Sequence, residues 1–178
     1  MKKLFPLLFF SILIGLGCKT NSRTVDPEQV QALANSLESN PLKIEFDFAL
    51  PLVTTSMAQL GNAQLFPYGS NASRISLNGS NATMVISKDS VEAHLPYYGE
   101  RQIVTTTNPS NAGIQFNGVP NNFKVNQNLD KGMVLVTFDI NNATENFQID
   151  LELFPNKRAM LHVFSTHRRR ISYQGNIE

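Results

Sequence analysis

Residues 133–165 decide the fold, and they read MVLVTFDINNATENFQIDLELFPNKRAMLHVFS. Apolar side chains stand at every second position of this stretch: Val134, Val136, Phe138, Ile140, Phe147, Ile149, Leu151, Leu153, Ala159, Leu161 and Val163. A period of two is typical of strands that bury one face. Asn141-Asn142 and Pro155-Asn156 interrupt the pattern and divide it into strands at residues 133–140, 147–154 and 158–165. Links this short predict antiparallel neighbours, because a parallel return needs a crossover of about a dozen residues or more.

The same pattern extends outward in both directions. Further strands are predicted at residues 42–50, 75–77, 83–87, 91–95, 114–117, 123–128 and 171–173. Asn78-Gly79 favours a two-residue hairpin between the second and third of these strands. A sheet with so many strands twists and curls instead of staying flat. The predicted fold is therefore mainly β (α+β), with a curved antiparallel meander sheet that forms a half-barrel or a barrel-like structure.

One helix is predicted before the sheet. Asp26 can cap it, Pro27 suits the first helical position, and Gln29 stands three residues after the cap. Asn40-Pro41 ends the helix. Its apolar face comprises Val30, Leu33, Ala34 and Leu37. We expect this N-terminal helix to pack on the concave face of the sheet.

Two segments show no clear period. Residues 51–69 are compatible with a loop that crosses the core or with a short pair of strands, and both alternatives stay open. Residues 100–113, around Asn108-Pro109, are expected to form a long polar loop.

The N-terminal segment is expected to be an export signal. Lys2 and Lys3 precede an apolar run at residues 4–16, which is shorter than the roughly 20 residues of a membrane-spanning helix. The run ends at Gly17-Cys18, which resembles the lipobox of bacterial lipoproteins, where the cysteine is acylated and the chain is cut before it. We therefore expect a signal peptide at residues 1–17, lipidated Cys18 with a tether at 18–25, and a single β-rich domain at 26–178. A plain signal peptide and an uncleaved anchor stay open as alternatives.

The expected location is the cell envelope, on the outer membrane and facing the periplasm. Lys19 and Thr20 follow the cysteine, whereas an acidic cluster at that point resembles a surface-export signal in some lipoproteins. Cys18 is the only cysteine, so the domain can form no internal disulfide and depends on its packed core.

The charge balance excludes one class of partner. Loss of residues 1–17 removes two lysines, so 13 of the 15 basic residues remain against 14 acidic ones. Such a chain has no electrostatic case for nucleic-acid binding. The expected partners are the membrane, through the lipid anchor, and an unidentified envelope protein or small ligand.

Three common catalytic and nucleotide-binding motifs are absent from the sequence. It contains neither a Gly-x-Ser-x-Gly elbow nor a His-Glu-x-x-His zinc pair, and no phosphate loop precedes a helix. His94, His162 and His167 fall on separate strands or turns, which favours ordinary hydrogen bonds over metal ligation. Asp150 and Glu152 lie two apart on a strand and therefore share its solvated face. We expect no enzyme activity, no catalytic residue, no metal and no cofactor.

Binding chemistry is concentrated in two stretches. Tyr97, Tyr98, Glu100 and Arg101 follow one strand, and His167, Arg168, Arg169 and Arg170 precede another. Tyrosine offers an apolar face with a hydroxyl, and guanidinium grips carboxylate or phosphate in a bidentate way. The two stretches form an anion or partner site if they converge in space. The alternative is that the tyrosines pack at a sheet edge and the arginines are solvated charges.

A modification site is a further candidate. Asp89-Ser90-Val91 resembles a short acceptor signal for O-glycosylation of serine in some bacterial envelopes, and it places the candidate at Ser90.

Four ordered motifs carry a family resemblance: LPYYG at 95–99, GIQFNG at 113–118, LFPN at 153–156 and RISYQG at 170–175. With them, the chain from about residue 26 onward resembles domain of unknown function family 4251, a group of uncharacterised bacterial lipoproteins. Lys157 departs from the family, which often has glycine after Pro-Asn. The resemblance implies the fold and an envelope location, and it supplies no activity.

The function expected from these observations is that of a lipid-anchored, non-enzymatic module whose curved sheet holds a ligand or partner. The alternative is a structural or assembly subunit of an envelope complex, and an enzyme of unrecognised type comes third.

Overall fold

The computed structural model describes residues 26–103, 113–142 and 145–178. Its first element is helix α1, Pro27–Ser39. The Asp26 carboxylate accepts a hydrogen bond from the backbone N–H of Glu28, with N and Oδ1 3.0 Å apart, and Pro27 begins the helix. Asn40 is extended and ends it. The predicted helix is confirmed, and it buries Val30, Ala34 and Leu37 against the sheet at β6 and β7, while Leu33 is half-buried.

Within the described residues, ten strands form one antiparallel sheet. They are β1 Leu42–Pro51, β2 Ile75–Ser76, β3 Thr83–Ile86, β4 Val91–Leu95, β5 Ile114–Gly118, β6 Asn121–Asn128, β7 Met133–Asn142, β8 Glu145–Leu153, β9 Arg158–Ser165 and β10 Ile171–Ile177. Their order in the sheet is β5-β4-β3-β1-β10-β9-β8-β7-β6, and β2 pairs with part of β1. The predicted fold class is confirmed.

The position of β1 divides the meander in two. Strands β3 to β5 form one meander and β6 to β10 the other, while β1 lies between β3 and β10. Its first half pairs with β3 and its second half with β2. The predicted hairpin at Asn78-Gly79 is therefore wrong, because the strands on either side both pair with β1. Gly79 has a φ of +79° and Asn78 has no positive φ, whereas the type I′ turn that Asn-Gly favours needs positive φ at both residues.

The sheet curls until its two edge strands come close. Only residues 119–120 connect β5 to β6, although these strands lie at opposite ends of the sheet order. The inward rings of Phe116 on β5 and Phe147 on β8 have centroids 5.6 Å apart. The carboxamide of Asn142 donates to the carbonyl oxygen of Gln115 across the seam, at 2.8 Å. In the described chain no backbone ladder joins β5 to β6, so the sheet is a half-barrel with a narrow seam.

Apolar side chains fill the concave face. In register across four strands, Phe138 lies opposite Ile149 and Ile149 opposite Val163, which in turn pairs with Ile171. All four side chains are buried. The inner face is therefore a packed core that α1 completes.

A second helix corrects the expectation for residues 51–69. Helix α2, Thr55–Asn62, occupies part of this segment, which forms neither a crossing loop nor a pair of strands. The Thr54 hydroxyl caps it by accepting from the backbone N–H of Met57 at 3.3 Å, and Met57 is its buried residue. The helix has only two turns and contains Gly61, so no apolar period of useful length marks it in the sequence.

Candidate functional site

The two predicted binding stretches converge at one end of the sheet. The loop after β4 and the link between β9 and β10 run antiparallel, with a bridge between Arg101 and Arg168. The backbone N–H of Gln102 donates to the carbonyl oxygen of His167 at 2.7 Å, and the N–H of Arg169 donates to that of Glu100 at 3.1 Å. The convergence rests on backbone pairing.

Arg168 is buried at the centre of this junction. Its Nε lies 2.7 Å from Oε1 of Glu145 and its Nη2 lies 2.8 Å from Oε2, which makes a bidentate ion pair. Its Nη1 donates to the carbonyl oxygen of Gly113 at 2.9 Å, and the guanidinium carbon lies 5.1 Å from the centre of the Tyr97 ring. The Ser165 hydroxyl also donates to Glu145. We call this group, Arg168 with Glu145, Gly113, Tyr97 and Ser165, the arginine clasp.

The tyrosines complete the junction through their hydroxyls. Tyr97 Oη lies 2.9 Å from the carbonyl oxygen of Glu100 and 3.0 Å from that of Arg169. Tyr173 is buried, and its hydroxyl donates to the carbonyl oxygen of Pro96 at 2.8 Å. Burial raises the pKa values of Tyr97, Tyr98 and Tyr173 above the ordinary tyrosine value.

The remaining charges of the two stretches face solvent. Arg169 Nε lies 3.5 Å from the Glu100 carboxylate, and Arg170 is exposed. Hydrogen bonds from the side chains of Thr54 and Ser56 lower the pKa of Glu100. Arg168 and Tyr97 therefore make contacts within the protein, whereas Arg169 and Arg170 are exposed to solvent. Arg101 is half-buried beside Arg168.

The other predicted residues lie apart from this junction. Cys18 lies outside the described residues. Ser90 is exposed in the turn between β3 and β4, where its carbonyl oxygen accepts from the backbone N–H of Ser87 at 2.9 Å. Nδ1 of His167 is buried and has no hydrogen-bond partner among the described residues. Within the same residues, no three histidine, cysteine, aspartate or glutamate side chains lie close enough to hold a metal ion.

Sequence reasoning missed a row of catalytic residue types on the outer face. Asp150 lies opposite His162 in the sheet, and His162 lies opposite Ser172, with His162 Nδ1 2.8 Å from Ser172 Oγ. A serine nucleophile also needs free N–H donors for the oxyanion. The three strands are all internal to the sheet, so the ladders on both sides occupy their backbone N–H groups. The backbone N–H groups beside this row are therefore engaged in the sheet and are not available to an oxyanion.

A groove on the outer face was also missed. It has a volume of about 700 Å³ and crosses β6 to β9 near the seam. It is lined by residues Asn121, Asn122, Asp139, Asn141, Asn146, Phe147, Gln148, Phe164, Ser165 and Thr166. We call it the amide groove. In the sequence, Asn141 is predicted only as part of a break between strands. The signal that could have found the groove is the placement of asparagines at outward positions of residues 121–148, beside inward apolar residues.

Two smaller depressions adjoin the amide groove. One of about 450 Å³ shares Asn122, Asp139 and Gln148 with it and adds Lys124. The other, of about 370 Å³, shares Asn141 and extends across the seam to Gln115 and His94. The polar surface therefore continues on both sides of the groove.

The described fold is a curled antiparallel half-barrel with a packed interior and a polar outer groove. The chain belongs to the family described as Domain of unknown function (DUF4251), whose model matches residues 25–177. It is similar to the crystal structure of a DUF4251 family protein from Bacteroides eggerthii DSM 20697, with 11% sequence identity, a TM-score of 0.52, and coverage of 84% of this chain and 85% of that chain. No curated protein matches the chain. No helix among the described residues is long and apolar enough to cross a membrane.

Proposed function

We propose that the protein is a lipid-anchored, non-enzymatic binding module of the cell envelope, held on the outer membrane and facing the periplasm. The proposal of a binding function rests on the difference between the two faces of the sheet. The inner face is filled by buried apolar side chains, while the outer face carries a groove of about 700 Å³, within the 300–1,000 Å³ range of ordinary ligand sites. The ligand would therefore bind outside the half-barrel.

The lipid anchor is supported by the lipobox-like ending at Gly17-Cys18. Cys18→Ala is expected to abolish labelling of the protein by a fatty-acid probe in growing cells and to leave the signal segment uncleaved, because the thiol is the acyl acceptor. The measurement is in-gel detection of the probe together with the mass of the product. Ser22→Ala is the matched control and should label like the natural protein. Equal labelling of Cys18→Ala would refute the anchor.

A second candidate is an assembly subunit, and one observation favours it. Large apolar side chains between residues 53 and 68 are exposed, including Val53, Leu65 and Tyr68. Such side chains mark protein interfaces when they gather on one surface.

Photo-crosslinking in cells separates the two candidates. A photoreactive amino acid would replace Asn146 in the amide groove, Leu65 on the apolar segment, or Asn126, an exposed outer-face residue of β6 outside the groove. The binding module predicts an adduct at Asn146 and none at Asn126. An adduct at Leu65 alone would favour the assembly subunit. Absence of any adduct specific to Asn146 would contradict the proposed groove function.

A further inference from the structure

Two side-chain rows on adjacent strands build the floor of the amide groove. Phe164, Gln148, Asp139 and Asn121 lie opposite one another in that order across β9, β8, β7 and β6. Asn146 lies opposite Asn141 in the next row, beside Thr166. Register therefore holds a set of carboxamides and one ring at fixed spacing on a rigid sheet, with no movement required to assemble them.

Asparagine is an unusual residue at these strand positions. Asparagine is depleted in strands, yet the ends of β6, β7 and β8 carry it repeatedly on the outer face. Asn122 has a φ of +54° at the point where the register between β6 and β7 shifts, and its Nδ2 lies 2.7 Å from Oδ2 of Asp139. Departures from local preference of this kind concentrate at functional sites.

The hydrogen-bonding chemistry of this lining matches hydroxyl groups. Each carboxamide presents two N–H donors and one acceptor oxygen, whereas a carboxylate such as Asp139 only accepts. A hydroxyl both donates and accepts, so adjacent hydroxyls can bind carboxamides and the carboxylate together. The side chains of Asn146 and Asn121 are exposed and face the groove. This combination suits a ligand that carries many neutral hydroxyls.

Phe164 supplies the complementary apolar surface. Its side chain is half-buried on the outer face and lies directly opposite Gln148. The face of an aromatic ring is electron-rich and attracts positively polarised groups, and the C–H face of a pyranose is such a group. One ring flanked by carboxamides therefore fits a sugar ring with its hydroxyls directed outward.

The charges exclude the principal alternatives among small ligands. Among the described residues that line the groove and its two adjoining depressions, Asp139 and Glu92 are the carboxylates. Lys124 is the only lysine or arginine in the same lining. An anionic ligand would need more positive charge. A mainly apolar ligand would need an apolar lining.

We infer that the amide groove binds a neutral oligosaccharide, an inference that rests on the binding-module function proposed above. The continuation of the polar surface across the seam, where Asn142 bridges to Gln115, provides room for more than one sugar unit. Longer chains are therefore expected to bind more tightly than monosaccharides.

The test titrates the full-length protein, held in a detergent without a sugar headgroup, with maltohexaose, mannohexaose and N-acetylchitohexaose and with the corresponding monosaccharides. Isothermal titration calorimetry should detect at least one hexasaccharide and weaker binding of its monosaccharide. Gln148→Ala and Phe164→Ala are each expected to weaken that binding by about tenfold, through loss of a hydrogen bond and of the ring contact. The matched control Asn126→Ala, outside the groove, should stay within about twofold.

Each variant is first compared with the natural protein by thermal unfolding, and Phe164→Leu serves as a second variant that keeps apolar bulk but lacks the ring. It should bind more weakly while it unfolds at the same temperature. Failure of all three hexasaccharides to bind would overturn the inference, as would binding that the groove substitutions leave unchanged.

Polygalacturonate or a serine- and glutamine-rich peptide serves as the contrasting probe. If one of these probes binds, loses affinity on Gln148→Ala, and no neutral sugar binds, the saccharide inference is wrong and the proposed binding function still stands.

Discussion

Gly175→Ala is expected to lower the free energy of unfolding by about 3 kcal/mol or more, because the new methyl group has no space. A Cβ at Gly175 would lie 2.7 Å from Cα of Phe46 and closer still to the carbonyl oxygen of Glu45. Both neighbours are backbone atoms of β1, at the register shift between Phe46 and Phe48, so no side-chain rotation can relieve the clash.

Urea unfolding followed by circular dichroism measures this effect, and Gly118→Ala is the matched control. The nearest atom to a Cβ at Gly118 is Cδ1 of Ile140, at 4.0 Å. Alanine there should be neutral or stabilise by about 0.5–1 kcal/mol, because glycine weakens a strand. If Gly175→Ala unfolds at the same urea concentration as the natural protein, the close packing of β10 on β1 is wrong.

Arg168→Ala and Glu145→Ala are each expected to destabilise the protein by about 3–5 kcal/mol, because each leaves an unpaired buried charge. The side chains of Arg168 and Glu145 are only 7% and 8% exposed. Arg168→Ala also leaves the carbonyl oxygen of Gly113 without the donor that Nη1 supplies. The double substitution Arg168→Met with Glu145→Leu should recover much of the loss, since apolar replacements of a buried pair are often close to neutral.

Arg169→Ala is the control for this prediction. Its side chain is 46% exposed and 3.5 Å from Glu100, so its loss should cost at most about 1 kcal/mol. The comparison is again made by urea unfolding. Equal effects of Arg168→Ala and Arg169→Ala would mean that the arginine clasp does not hold the junction. Anion binding at this end of the sheet is therefore better tested by substitution of Arg169 and Arg170, because loss of Arg168 is expected to destabilise the fold.

The strands could be predicted because each buries one face, and a buried face imposes a period of two on residues such as Val134, Val136 and Phe138. The position of β1 could not be predicted in this way. Alternation in Ile44 and Phe46 shows which face is buried, but it contains no information about the partner strand. The partners of β1 are β2 and β3 on one side and β10 on the other, where Ile44 pairs with Ile177. Helix α2 escaped notice for a different reason, since two turns with a single buried residue carry almost no periodic signal.

The candidate site was predicted in part. The approach of Tyr97 to Arg168 was raised as a hypothesis from residue types at strand ends, and the structure brings the two together. The role of Glu145 was not foreseen, because its buried carboxylate depends on the three-dimensional meeting of β8 with the link after β9. The amide groove also depends on register, since Gln148 and Asp139 become neighbours only when β8 pairs with β7.

The pairing of β1 with β10 has a consequence for how the molecule is made. The two strands at the middle of the sheet come from opposite ends of the domain, and the N–H of Glu178 donates to the carbonyl oxygen of Lys43 at 3.0 Å. A chain that emerges in order from a ribosome or a translocation pore holds β1 unpaired on that side until β10 appears. Contacts between such distant residues also slow folding. Assembly of the domain is therefore completed only after β10 has emerged, and a chain that lacks residues 171–177 would expose two strand edges to aggregation.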